Sequence, residues 1–270
     1  MRDILYRHPT DANSEVAELE TISRTLEEAY LTKNAEFGYL TDTFANWSWQ
    51  RKQNVITAAK ARLKTLTESK NRGMTDYDLL YAMMLHVAHN LIGPQGTNLV
   101  RYQNYVQGWT IVLEAVYPDF LLFCNNHRNQ GCIAVFRGTD IYGISDFGYN
   151  IAASLGWVNS ESTYNEEALR YLKLTHNIER LVGYSRGGRL ALELGELLGI
   201  STHTFNPMLN NYSLPPSSRV LKHTIVTVKG DVWFDGASRL PLLPQFTVRK
   251  IRKKDDSWHG HTLYNVNPQE

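Results

Sequence analysis

The stretch Ile178-Glu179-Arg180-Leu181-Val182-Gly183-Tyr184-Ser185-Arg186-Gly187-Gly188-Arg189-Leu190 decides how this chain folds. An apolar run ends at a serine between two glycines, and a helix-forming stretch follows at once. A tight turn from strand to helix lifts the serine hydroxyl clear of a sheet. The residues two before and two after the serine must then be small, because the backbone crosses itself there. Gly183 and Gly187 supply that room. The G-x-S-x-G pattern therefore predicts a strand over 178–184, a nucleophile-presenting turn at Ser185, and a helix over 186–198 closed by Gly199. Because the turn opens a helix, the Arg186 amide is expected to point toward negative charge developing on an attacked carbonyl oxygen.

Outward from this turn, strand and helix patterns alternate. Upstream, 164–174 reads as a helix, while 109–116, 120–123 and 132–136 read as short apolar strands paired antiparallel. Downstream, 202–205, 223–228 and 246–251 read as strands separated by long loops, and a short terminal helix follows His259. This order implies an α/β fold with a mixed, mostly parallel sheet and the serine turn at a strand's carboxyl end. Before residue 105 the pattern is helical. Val16, Leu19, Ile22, Leu26 and Tyr30 recur at helical spacing over 11–31. A second helix runs from Trp47 through Leu66 and ends at Arg72-Gly73. A third starts at Thr75, an N-cap with Asp78 three residues on, and stops before Gly93-Pro94. The expected organisation is a helical N-terminal extension over 1–104, packed on or capping a catalytic core over 105–270.

Composition narrows the partners. Over 270 residues the net charge is +1, with both signs interspersed, so nothing pushes the chain toward nucleic acid. The basic run Arg249, Lys250, Arg252, Lys253 and Lys254 is offset at once by Asp255-Asp256 and reads as a solvated strand edge. The N-terminus lacks the apolar segment of a secretory signal, and no apolar run reaches membrane-spanning length. The expectation is a soluble, intracellular protein. The two cysteines, Cys124 and Cys132, flank a turn-like segment and can face each other across a hairpin. With only one pair no disulfide framework is indicated, and free buried thiols are expected. His86 and His89 stand three apart on one helix, but no nearby Cys, Asp or Glu completes a metal ligand set. Neither a metal nor an organic cofactor is expected.

A serine needs a base to take its proton and an acid to orient that base. Asp231 follows the apolar run 224–228 across Lys229-Gly230, where a strand end opens into a loop, and is the first choice for the acid. Asp235 is held in reserve. His261, which opens the terminal helix, is the first choice for the base, with His259 in reserve.

A second motif, Ile133-Ala134-Val135-Phe136-Arg137-Gly138-Thr139-Asp140, joins the serine turn. Together they resemble the class 3 lipases, the fungal-lipase-like branch of the α/β hydrolases. In that family a strand ending in a similar F-R-G-T/S turn supplies half of the oxyanion hole. Asp146, Thr204-Phe205-Asn206-Pro207, Asp231-Val232 and His261-Thr262-Leu263-Tyr264-Asn265 extend the likeness over about 105–266. The resemblance implies an α/β-hydrolase sheet, a Ser185–His261–Asp231 triad, and an oxyanion hole formed by the Thr139 and Arg186 amides. Tyr184 and Arg186 replace the histidine and leucine common in G-H-S-L-G-G. No V-H-x-G-F segment stands between Asp146 and Ser185. Residues 149–158 and 232–243 are the two lid candidates.

The function so implied is carboxylic-ester hydrolysis, with a lipid acyl ester or small ester as substrate and transient contact with a lipid surface. Arg186 adds a cation for a phosphate or carboxylate on that substrate. The same residues also fit acyl transfer to an alcohol or amine. A catalytically silent fold used for binding is the third reading. The sequence does not fix the oligomeric state.

Overall fold

The structure, a computed structural model, describes residues 67–92, 109–112, 120–125, 131–138, 163–175, 177–209, 221–230 and 246–253, with single positions at 48, 50, 54, 57, 60, 61, 64 and 106. The chain forms two compact units, Met1–Leu79 and Leu80–Glu270.

In the first unit, the helical residues 67–71 end at Gly73, whose φ of 94° lies in the left-handed region that favours glycine. The Gly73 and Met74 amides donate to the carbonyls of Lys70 and Ser69, which closes the helix end. The next helix, α1 (Asp76–Ile92), starts on a reciprocal cap. The Thr75 amide donates to Asp78 Oδ2 at 2.6 Å, and the Asp78 amide donates to Thr75 Oγ1 at 3.3 Å.

From Leu80 onward α1 belongs to the second unit, where it is apolar on nearly every side. Leu80, Tyr81, Ala82, Met83, Met84, Leu85, Val87 and Ala88 are all buried. The second unit is built on a seven-stranded sheet whose spatial order is its chain order: β1 (Trp109–Ile111), β2 (Phe120–Asn125), β3 (Cys132–Phe136), β4 (Ile178–Tyr184), β5 (Thr202–Phe205), β6 (His223–Val228) and β7 (Phe246–Ile251). β1, β2 and β3 pair antiparallel, and β3 through β7 are parallel. The sheet is therefore mixed and mostly parallel, the α/β class that the strand and helix order implied. Helix α2 (Thr163–Leu174) links β3 to β4, and α3 (Arg186–Leu198) links β4 to β5.

Parallel crossovers are right-handed, so successive steps in one direction put their helices on one face. Ala168 and Leu172 of α2 and Leu190, Ala191 and Leu194 of α3 accordingly share a buried cluster with Phe120, Leu122, Ala134, Phe136 and Leu181 of the sheet. Alternation sends Leu121, Val135, Val182, His203 and Phe205 to the opposite face. There the Tyr81 ring from α1 meets His203 edge-on, with centroids 4.8 Å apart. Among the described residues the basic strand β7 pairs with β6 alone, at the end of the order, with Lys250 and Arg252 exposed.

Two expectations are corrected. Cys124 and Cys132 are not free thiols: they form a disulfide, with Cα atoms 4.2 Å apart. The cause is register, which pairs Cys124 with Cys132 across β2 and β3. The Cys132 amide donates away from β2, to the Asn177 carbonyl, so the two cysteines form a non-hydrogen-bonded pair, the closer kind in an antiparallel ladder. β1 also stops at Ile111 short of the expected Val116. In the observed register Ile111 faces Phe123, so a strand continued to Val116 would face Pro118 and leave one residue for the turn.

The helices expected over 11–31 and after His259, and both lid candidates, lie outside the described residues. Among the described residues no helix is long and apolar enough to cross a membrane.

Candidate active site

The parallel strands β3 to β7 deliver their carboxyl ends to one edge of the sheet. In order across that edge come Arg137-Gly138, Ser185, Asn206, Lys229-Gly230 and Arg252. Ser185 stands where β4 gives way to α3, at φ 54° and ψ −120°. For a residue with a Cβ this is sparsely populated backbone, held only where the surroundings enforce it. Here they do. The Ser185 amide donates to the Phe205 carbonyl at 3.1 Å. Its carbonyl accepts from the Arg189 amide at 3.1 Å and from the Met208 amide at 3.0 Å. Its hydroxyl does not cap α3, the usual task of a serine in that position.

The flanking glycines are steric necessities. A Cβ on Gly183 would run into the backbone of Gly187 and Gly188, and one on Gly187 into the carbonyls of Arg137 and Phe136. The start of α3 thus lies directly against the exit of β3. Gly138 completes the contact from the other side, since a Cβ there would fall 2.6 Å from Tyr184 Cδ1. The F-R-G turn and the serine turn, 47 residues apart from Gly138 to Ser185, are packed together. Ser185 and Arg186 are both largely buried, each 7 % exposed. The first amides of α3, Arg186 among them, belong to the helix end that carries the positive end of the dipole.

Of the other residues that the sequence suggests, Thr139, Asp231, Asp235, His259 and His261 lie outside the described residues. Two of them follow a described residue: Gly138 precedes Thr139, and Gly230, at φ 83°, precedes Asp231. No protein-family model matches this chain, and no curated protein matches it in sequence.

Sequence reasoning missed two groups. The first is Asn206. It is fully buried with φ 43°, its amide donates to the Val226 carbonyl at 2.9 Å, and its Oδ1 accepts from the Val228 amide at 2.8 Å. The signal was present only as an asparagine at a strand end, a residue type that tolerates left-handed backbone. The second group is at the opposite, amino edge. His223 opens β6, pairs Nε2 with Glu196 Oε1 of α3 at 2.9 Å, and pairs Nδ1 with Thr202 Oγ1 of β5 at 2.9 Å. Its ring stacks on Phe246 with centroids 5.1 Å apart. Burial lowers His223 below the usual imidazole range; Glu196 opposes that shift and Arg180 of β4 adds to it. Gly195 lets α3 close over this group, since a Cβ there would strike Thr202 Cγ2. Elsewhere, His86 lies against Asn90, whose Nδ2 donates to the His86 carbonyl at 2.8 Å. Among the described residues no group of three or more His, Cys, Asp or Glu gathers to hold a metal.

Proposed function

We propose that the chain is a serine hydrolase with the α/β-hydrolase fold, similar to the class 3 lipases, that cleaves carboxylic esters through an acyl-enzyme. One observation carries the reading: a serine in sparsely populated backbone at the carboxyl end of a parallel strand, between two glycines that admit no Cβ. A merely structural turn has no need of a strained serine there, and glycine would occupy that backbone at lower cost.

In this mechanism Ser185 Oγ attacks the acyl carbonyl carbon while His261 takes the serine proton. Asp231 holds the imidazole in the required tautomer, and the Thr139 and Arg186 amides receive the oxyanion. Collapse of the tetrahedral adduct breaks the ester C–O bond, and His261 returns the proton to the departing alcohol. Water, deprotonated by His261, then attacks the acyl-serine. The acid forms and Ser185 is restored. The packing of the Arg137-Gly138 turn against Gly187 and Tyr184 supports the two-sided oxyanion hole, because it brings the residue before Thr139 beside the start of α3. By resemblance the substrate is a lipid acyl ester, an acylglycerol or phospholipid.

The test is labelling by a fluorophosphonate together with turnover of a short-chain nitrophenyl ester. The wild-type chain is expected to do both, and Ser185→Ala neither, with an unchanged fold by circular dichroism. Turnover retained by Ser185→Ala would overturn the assignment. A wild-type chain that neither labels nor turns over belongs to the binding reading.

A further inference from the structure

We propose that Asn206 is a positioning residue of this site, fixing the strand end from which the acid-bearing loop departs; the role rests on the hydrolase reading above. β5 ends at Phe205, which pairs with Val226, while β6 continues two residues further to Val228. The Val228 amide is therefore left without a ladder partner on the β5 side, in a residue only 1 % exposed. Asn206 supplies that partner from its side chain. Its backbone amide takes the Val226 carbonyl and its Oδ1 takes the Val228 amide, so one residue spans both positions of β6.

Geometry selects this residue type. At φ 43° a branched or bulky side chain is strained, and asparagine, aspartate and glycine fit best. Glycine takes the backbone without the acceptor; asparagine provides both without burying a charge.

The same short turn is tied to the serine. The Phe205 carbonyl accepts from the Ser185 amide at 3.1 Å, and the Met208 amide donates to the Ser185 carbonyl at 3.0 Å. Residues 205–208 thus hold both backbone polar groups of Ser185 on one side and two of β6 on the other. Asn206 Oδ1 is the side-chain link in that brace. Val228 stands three residues before Asp231 in the chain, so the direction in which β6 leaves the sheet sets where the acid's loop begins. A displacement of about 1 Å between reacting groups costs on the order of 10²-fold in rate.

The experiment is a double-mutant cycle between Asn206→Gly and Asp231→Asn, read by kcat and KM on a nitrophenyl ester, the pH profile of kcat/KM, and the rate of fluorophosphonate labelling. Asn206→Gly is expected to lower kcat by about 10²-fold with KM within about twofold. It should also shift the acidic limb of the profile, because a displaced acid no longer holds the imidazole at its wild-type pKa. In the Asp231→Asn background the same substitution is expected to cost less than about threefold, since the acid through which Asn206 acts is already gone. Asn206→Asp, which keeps an acceptor oxygen in place, should recover most of the loss. Where Asn206→Gly gives no cooperative melt, the same cycle is read with trimethylamine N-oxide added to all four proteins, which favours the folded state. Additive losses in the cycle, or an unshifted profile in Asn206→Gly, would overturn the role of Asn206 while leaving the hydrolase reading intact. A wild-type chain that is not labelled removes the hydrolase reading and this role together.

Discussion

At the amino edge of the sheet a hydroxyl, an imidazole and a carboxyl group stand in line, Thr202 to His223 to Glu196, each step 2.9 Å. At the carboxyl edge Ser185 stands on strained backbone, braced by main-chain hydrogen bonds and glycine contacts. The amino edge has the connectivity of a catalytic triad, yet His223 is fully buried and its ring lies against Phe246. Its hydroxyl belongs to a strand residue in ordinary extended geometry. The carboxyl edge instead has backbone strain and converging strand ends, features that cost stability and are retained where a reaction needs them. A hydrogen-bonded chain of the right atoms is therefore weak grounds for chemistry, and the cost of a conformation is stronger.

The largest expected effect that separates the edges is His223→Ala. It empties a fully buried ring site and leaves Glu196 and Thr202 without their imidazole, so unfolding in urea should show a loss of about 3 kcal/mol or more. If the amino edge is purely structural, kcat of the folded fraction at low temperature should equal that of the wild type. A fall in kcat beyond about tenfold would give this edge a part in the proposed reaction. β5 separates the two edges by about 10 Å, too far for a truncated ring to reach Ser185 directly.

How legible each edge was in the sequence follows from the same contrast. β4, the serine turn and α3 fall at the expected residues because every signal is local: an apolar run, small residues at fixed offsets, and Gly199 at φ 75° past the helix end. The capped start of α1 was legible for the same reason, in a threonine and an aspartate three residues apart. The amino-edge group joins α3, β5 and β6 across 27 residues, from Glu196 to His223, with no spacing rule to announce it. Cys124 and Cys132 show the boundary between the two cases. Their facing each other across a turn was readable, but the bond depends on a register that composition does not encode. Asn206 was quoted only as part of a strand-end likeness, because a side-chain acceptor for an amide 22 residues away appears only once φ and partner are known. For the proposed acid and second oxyanion donor, the described residues reach the chain neighbours Gly230 and Gly138; the proposed base rests on its order along the sequence.

A smaller effect of opposite sign tests the strain itself. Ser185→Gly removes the Cβ from backbone at φ 54° and ψ −120°, and should raise stability by about 1 kcal/mol while abolishing labelling. Ser185→Ala keeps the Cβ and should leave stability near the wild-type value. The glycine variant is expected to melt above the alanine variant. Equal melting temperatures would mean that the serine turn stores no strain, and that both edges are ordinary structure.

The smallest effect is in the pH dependence, and it belongs to the amino edge. Glu196 from α3, Arg180 from β4, Thr202 from β5 and the Phe246 ring from β7 surround His223, and burial outweighs Glu196 in lowering its pKa. The folded chain therefore binds this proton less readily than the unfolded chain does. Above about pH 6.5 the imidazole is neutral in both states and adds no pH dependence. As pH falls below that, the unfolded chain takes up the proton first, so the group's contribution to stability declines until the folded pKa is passed. In the neutral ring the Nε2–H donates to Glu196 while Nδ1 accepts from the Thr202 hydroxyl, and protonation would reverse that second bond, with Nδ1–H donating to Thr202 Oγ1. Urea unfolding at pH 7.5 and pH 5.5 should show a drop for the wild type that is smaller in the double variant Glu196→Leu/His223→Phe, which removes the titrating ring together with its partner. The same drop in both would place the acid sensitivity elsewhere in the chain and leave the amino edge as packing alone.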